Sequence, residues 1–423
     1  RDVERSRGLG DVYKRQGIWS CLGTTLDDVC NALYTGKSGI VFSQERKDAG
    51  FRSALCASVE RPDLKPFVSR NLRQFMPEEA QYAYMATRVA LEHARLDQDY
   101  IDRHEVGIIY GNDSVAESTM RSLDNFREYK DTSACGSGAI FQSMNSTVTM
   151  NLACLFRLKG INLTSSAACA SGSQSVGLAY LLIRDGLQDC IVCGGAQEAN
   201  LYGVAAFDGI QSFSTREDAP EKASRPFDAD RDGLVPGGGG ATLIVESYEH
   251  ALKRGAPILA EIVSWGFSGN GDHISTPNVE GPARSLELCL QHGGVTPQQI
   301  GYVNAHATST RIGDAREAQA IARVFGDYRV PVTSTKSQTG HEMWMAGASE
   351  LIYSILMMKN GFIAGNINFE RPDENTACLH ILPETREIGF DMFLSNSFGF
   401  GGTNSTLIVS CLLYTSDAAD DKA

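Results

Sequence analysis

The chain has 423 residues, 42% of them hydrophobic, enough to bury one large core or two ordinary ones. Its formal net charge is −13 and its pI about 5.1, which excludes general affinity for nucleic acid or anionic membrane surfaces. No apolar run approaches the roughly 18 residues of a membrane helix, no secretory signal is visible, and the eleven scattered cysteines read as reduced thiols of a cytoplasmic protein, not as a disulfide framework.

Taken in chain order, the first residues stand apart. The DNA GATGTGTATAAGAGACAG encodes "DVYKRQ" (11–16), and its reverse complement, read one base on, encodes the "CLLYTS" of 411–416. Inverted ends of this kind match a sequencing adapter read through as protein. Residues 1–16 and 411–423 are therefore expected to be non-native and are set aside, with the native chain beginning near Gly17. Between them, strand-like runs fall at 105–111, 161–167, 189–196, 241–247, 258–268, 300–307, 330–336, 391–398 and 405–410. Helical patterns fall at 78–95, 172–186, 247–254, 282–293, 314–325 and 346–360. Several strands are almost wholly apolar until they break into Gly, Ser and Thr, the pattern of strands covered on both faces. The alternation predicts an α/β fold with helices flanking a sheet. Chemistry-bearing residues collect at strand ends in both parts of the chain, which predicts two similar halves, 17–255 and 256–410, facing one cleft.

The stretch "TSSAACASGSQS" (164–175) carries one thiol, Cys169, between a predicted strand and a predicted helix. A side chain at such a turn is expected to be exposed. Helix N-terminal N–H groups favour an anion, so the pattern predicts a thiol of lowered pKa with backbone donors near it for an oxyanion. A small, inert, buried cysteine at the start of a core helix is the alternative that this stretch leaves open. Cys190 and Cys193 share a predicted strand at a spacing that points them to opposite faces, so no redox or metal pair is expected there. Three further strand ends carry His306, Lys336 with His341, and the loop Phe398, Gly399, Phe400, Gly401, Gly402. A solvated histidine, a solvated lysine and a tight hairpin are the plain alternatives for each alone. Together the four ends deliver a thiol, two imidazoles, an ammonium and a flexible loop, without metal-ligand spacing.

The stretches "SSAACAS", "EKASRPFDADRDGLVPGGGGA", "NAHATSTRIGD", "TKSQTGH", "NGFIAGNINFE" and "NSFGFGGTN", in this order, resemble the β-ketoacyl synthases, condensing enzymes of the thiolase fold. The resemblance runs from about Gly17 to Ser410, and the "GGGG" at 237–240 is more similar to the type I bacterial branch than to type II. It implies a thiolase-like fold, two similar α/β halves layered αβαβα, working as a homodimer. It implies Cys169 as the acyl-accepting nucleophile, His306 and His341 as its two histidines, and Lys336 as the lysine five residues before the second. Phe400, with Phe398 and Gly399 beside it, would line the acyl entrance, and the N–H groups of Phe400 and Cys169 would form the oxyanion hole. Thr308 and Thr310 would contact a phosphopantetheine arm. Asp314 and Glu317 would buttress the lysine and its loop. Lys65, Arg70 and Arg73 lie where the family docks its acidic carrier protein.

The activity so implied is acyl transfer. Cys169 takes an acyl group from a carrier thioester, and a malonyl thioester loses carbon dioxide and attacks it. No metal or tightly bound cofactor is expected; the phosphopantetheine arm of acyl carrier protein brings the substrates, and neither nucleic acid nor membrane insertion is involved. The sequence departs from the family at Ala307, where a glycine is usual, at Arg311, where a proline is usual, and at Met343, Trp344 and Met345, where small residues are usual. Three readings compete: a ketosynthase of a specialised polyene or polyketide pathway, a non-catalytic chain-length factor, and a thiolase. Chain-length factors typically lack the nucleophilic cysteine, which is present here, and thiolases need a second cysteine that "NSFGFGGTN" does not contain.

Overall fold

Short runs of Val, Ile and Leu bounded by Gly, Ser or Asp fold as strands. In the computed structural model, which describes residues 12–411, they are β1 (Val12–Trp19), β2 (Ile40–Phe42), β3 (Leu55–Ala57), β4 (Gly107–Gly111), β5 (Asn162–Ser165), β6 (Cys190–Gln197), β7 (Gly239–Ser247), β8 (Glu261–Gly269), β9 (Tyr302–Asn304), β10 (Pro331–Thr333), β11 (His380–Ile381), β12 (Met392–Gly399) and β13 (Thr403–Ser410). β2 and β3 pair separately. The others follow the order β11-β10-β9-β12-β13-β8-β1-β7-β6-β4-β5. β1 and β8 are paired only through Tyr13 and Glu261, so two half-sheets meet there.

Read from outside in, the first half-sheet runs β5, β4, β6, β7, β1, paired parallel, parallel, antiparallel, antiparallel. The second runs β10, β9, β12, β13, β8 with the same sequence of directions, and β11 adds at its edge. The two halves thus repeat one topology.

Strands that are apolar on both faces need cover on both. Helices Glu78–His93 and Thr147–Phe156 cover one face of the first half-sheet, and Glu280–Gly293 and Arg311–Phe325 one face of the second. Between the half-sheets lie Ser171–Arg184 and Ala346–Asn360, whose side chains join the inner faces of both in one core. The layering is αβαβα. Every residue from Ala346 to Met358 is buried, as a helix sandwiched between sheets must be. Cys190 packs in the outer cluster and Cys193 in the inner one. No helix among the described residues is long and apolar enough to cross a membrane.

Three differences from the sequence reading matter. Val12–Gln16, set aside with residues 1–16, pair in register with Leu243–Ser247 of β7. An edge partner needs only backbone N–H and C=O groups, which almost any sequence supplies. The rest of the two set-aside ends, 1–11 and 412–423, lies outside the described residues. The run 330–336 leaves the sheet after Thr333, and Lys336 opens the short helix Lys336–Thr339. Helix Glu117–Tyr129, not read in the sequence, buries only Ser118, so it has no apolar stripe facing the core.

Candidate active site

β5 ends at Ser165 and helix Ser171–Arg184 begins six residues later, with Cys169 in the turn between them. Ala168 takes a left-handed φ of 47°, which swings the chain sharply at the thiol. The turn is held by side chains: Ser171 Oγ accepts from Ala167 N at 2.9 Å and donates to Ala168 O at 2.6 Å. Asp113, just beyond β4, accepts from Ala168 N at 3.1 Å and also from Ser166 Oγ. On the far side, Gly399 comes so close that a Cβ there would sit 2.7 Å from Ala167 O. Only glycine lets the Phe398–Gly402 loop approach the turn.

That approach brings four strand ends together. Cys169 Sγ lies 3.0 Å from His341 Nε2, and the ring centroids of His306 and His341 are 5.3 Å apart, nearly perpendicular. Donor atoms of Cys169, His306 and His341 all lie within 4.8 Å of one another. The backbone N–H groups of Cys169 and Phe400 both act on the sulfur in the direction that favours its anion. Phe398 packs on His306 with centroids 5.9 Å apart, and Phe400, 42% exposed, stacks on Phe207.

The histidine backbones are fixed independently. His341 N donates to Val235 O at 2.7 Å, and its carbonyl accepts from Gly237 N at 2.8 Å, so the "GGGG" loop staples it. Helix Arg311–Phe325 supplies two buried carboxylates to the other loop. Glu317 accepts from the N–H groups of His306 and Ala307 at 2.9 and 2.7 Å and from Asn396 Nδ2 at 3.1 Å. Asp314 accepts from Thr308 N at 3.0 Å and Phe227 N at 2.8 Å. Thr308 and Thr310 are half-buried, with hydroxyls 3.1 Å apart.

The charges follow from burial. Desolvation, and then the Lys336 charge, hold His341 well below the usual histidine range; His306 is held down by the same causes and by His341. Both imidazoles are neutral at pH 7, and each Nδ1 is buried without a hydrogen-bond partner among the described residues. Burial pushes the Cys169 thiol up to about 12, with Lys336 opposing and Asp113 adding to the rise. This reverses the sequence expectation of an exposed thiol of lowered pKa: Cys169 is 6% exposed, and loss of water outweighs the favourable N–H groups.

Lys336, 1% exposed, is ion-paired to Glu350. The sequence reading gave the lysine to Asp314 and Glu317; those carboxylates hold the His306 loop, and Glu350 is the lysine's partner. Glu350, Asp113 and Asn396 were missed. Only Glu350 left a trace, as the lone acid in a mostly apolar helix. Lys65 and Arg70 are exposed, while Arg73 is half-buried and donates to Val68 O at 3.1 Å. None of the three hydrogen-bonds a residue of the Cys169 cluster.

A thiol with two imidazoles is also a donor set for a thiophilic cation, but the nearby Lys336 charge opposes one. The arrangement suits thiol nucleophilic chemistry, with N–H donors for a tetrahedral oxyanion and neutral imidazoles for a second carbonyl.

Comparison with known proteins bears on this. The profile described as "Beta-ketoacyl synthase, N-terminal domain" matches residues 17–251, and "Beta-ketoacyl synthase, C-terminal domain" matches 259–370. The chain is 40% identical over 396 residues to 3-oxoacyl-[acyl-carrier-protein] synthase 1 of Escherichia coli strain K12, covering 93% of this chain and 97% of that one. It superposes on a β-ketoacyl synthase of Burkholderia phymatum with a TM-score of 0.90 at 36% identity, covering 96% and 100% of the two chains. It also superposes on a type II polyketide ketosynthase in complex with its acyl-carrier protein, with a TM-score of 0.86 at 25% identity, covering 96% and 100%.

Proposed function

The chain belongs to the β-ketoacyl synthase family, and from that premise we propose that it is a 3-oxoacyl-[acyl-carrier-protein] synthase, an acyltransferase that extends fatty acyl chains by two carbons. The observation that carries this reading is the sulfur of Cys169, held 3.0 Å from His341 Nε2 and under the N–H groups of Cys169 and Phe400.

In the first half-reaction Cys169 Sγ attacks the thioester carbonyl while its proton passes to the neutral His341 Nε2. The tetrahedral oxyanion rests on the two backbone N–H groups. On its collapse the carrier thiol leaves with that proton, and the acyl group stays on sulfur. Once Cys169 is acylated, His341 exchanges its ring proton with water so that Nε2 carries it, and in the second half-reaction a malonyl thioester binds with its carbonyl oxygen on the Nε2–H groups of His306 and His341. Loss of carbon dioxide leaves an enolate stabilised there, and its carbon attacks the acyl thioester of Cys169. The sulfur departs as a thiolate and takes one proton from water, and a 3-oxoacyl thioester is released. Burial, reinforced by the positive charge of Lys336, keeps both imidazoles neutral. Thr308 and Thr310 line the approach of a phosphopantetheine arm.

By this reading residues 17–255 supply the nucleophile and 256–410 the histidines and lysine. The carrier docks on Lys65, Arg70 and Arg73, and the reaction takes place in the cytoplasm. Among the described residues no strand pairs with the outer edge of β5, where Asn162 and Leu163 are exposed, and Met120, Leu123, Phe126, Ile140, Phe141 and Met144 are also exposed. Such an edge beside apolar surface supports a homodimer built across β5; sedimentation at a monomer mass would exclude it. The activity is tested by incubating the protein with acyl- and malonyl-carrier protein. A 3-oxoacyl product two carbons longer is expected, and its absence would overturn the proposal. His306→Ala should slow decarboxylation more than acyl transfer.

A further inference from the structure

The sulfur of Cys169 has two unlike sides. One carries the imidazoles and the two N–H groups. The other is a buried apolar cluster of Val204, Phe213, Leu234, Met343 and Trp344, with Phe207 packed against it. An acyl group bonded to the sulfur, with its carbonyl oxygen on the two N–H groups, has one surrounding of matching polarity for its tail, and that is this cluster.

The backbone beneath the cluster cannot retreat to make room. Trp344 lies in the 3₁₀ turn Met343–Met345. Its carbonyl oxygen sits so close to helix Ser171–Arg184 and to β6 that a Cβ on Gly172 or Gly195 would fall 2.8 or 2.5 Å from it. Met343 is already at a left-handed φ of 45°. Space for a tail is therefore set by side chains. Met343 is unbranched and can change rotamer to yield. Trp344 is large, rigid and 5% exposed. Its Nε1–H has no acceptor among the described residues, so the indole is not held there by a hydrogen bond and what it contributes is bulk. Its ring lies 6.1 Å from that of Phe207, which stacks at 6.2 Å on the exposed Phe400. A file of aromatic rings thus runs from the surface to the indole.

We propose that Trp344 sets the length of acyl chain that Cys169 can carry, restricting the enzyme to short acyl thioesters. The inference rests on the ketosynthase reading above. The test offers hexanoyl- and dodecanoyl-carrier protein in competition and measures the two adducts on Cys169 by peptide mass spectrometry. The wild type should favour hexanoyl. Trp344→Ala should raise the dodecanoyl-to-hexanoyl ratio at least about tenfold, the worth of one methylene in a hydrophobic pocket. Trp344→Leu, which keeps the site filled and guards against loss of folding, should raise it by less. Equal use of both chains by the wild type, or an unchanged ratio in both variants, would overturn the proposal. Absence of any adduct on wild-type Cys169 would instead overturn the ketosynthase reading itself.

Discussion

How fast Cys169 is alkylated as pH rises reports how the resting site is charged. Burial pushes its thiol up to about 12 and keeps both histidines neutral. The resting pair is then a thiol beside an imidazole, not a thiolate beside an imidazolium. At about pH 8 a thiol of that pKa is roughly 10⁻⁴ ionised, against roughly 0.2 for an ordinary cysteine, a difference of about three orders of magnitude. Alkylation of Cys169 by iodoacetamide, followed by peptide mass spectrometry, should rise about tenfold per pH unit from about pH 6 to about pH 9 without levelling. Lys336→Met removes the charge that most lowers the thiol and should move the curve to higher pH. Asp113→Asn removes a charge that raises it and should move the curve to lower pH, while its amide oxygen still accepts from Ala168 N. A plateau beginning near pH 7 would mean a preformed thiolate and would refute the reasoning.

Glu350→Gln leaves Lys336 buried without its counter-charge and should cost about 3–5 kcal/mol, read from the urea midpoint at constant slope. Lys336→Met with Glu350→Leu should recover most of that; a single-variant loss below about 1 kcal/mol would show that the pair is not buried as described. Burial raises Glu342 to about 7. Its contribution to stability is then full below about pH 4.5 and is lost as pH rises through 7. Glu342→Gln cannot titrate, so it should gain stability relative to wild type between about pH 5 and pH 8, by at most ~3 kcal/mol. Parallel stability curves would sink that assignment. Lys65→Glu with Arg70→Glu should raise KM for carrier-borne substrates about tenfold and weaken their salt dependence, while sparing a free pantetheine thioester. An unchanged KM would put docking elsewhere.

Much of this architecture was legible because it is written in local pattern. β6 and β7, and the apolar parts of β12 and β13, read as strands covered on both faces, and their breaks into Gly, Ser, Thr and Asn mark where side chains become available for chemistry. The runs that became β5, β9 and β10 pointed in the same way to Cys169, His306, Lys336 and His341, and the structure brings the thiol and the two imidazoles into one cluster. What stayed hidden depends on partners distant in sequence. Glu350 meets Lys336 only once the helices Lys336–Thr339 and Ala346–Asn360 pack together, and Asp113, just beyond β4, reaches Ala168 in the Cys169 turn from fifty-five residues earlier. Thiol exposure was misjudged for the same reason. A helix N-terminus lowers a thiol pKa, but the Met343 and Trp344 side chains that exclude water come from the other half of the chain. Helix Glu117–Tyr129 went unread because almost none of it packs on the core.

The central claim is that Cys169 alone carries the acyl group. Exposure to acyl-carrier protein followed by peptide mass spectrometry of every cysteine tests it most directly. The account predicts one thioester adduct, on Cys169, discharged when malonyl-carrier protein is added, and none in Cys169→Ser. A stable adduct on another cysteine, or extended product from Cys169→Ala at the wild-type rate, would contradict it.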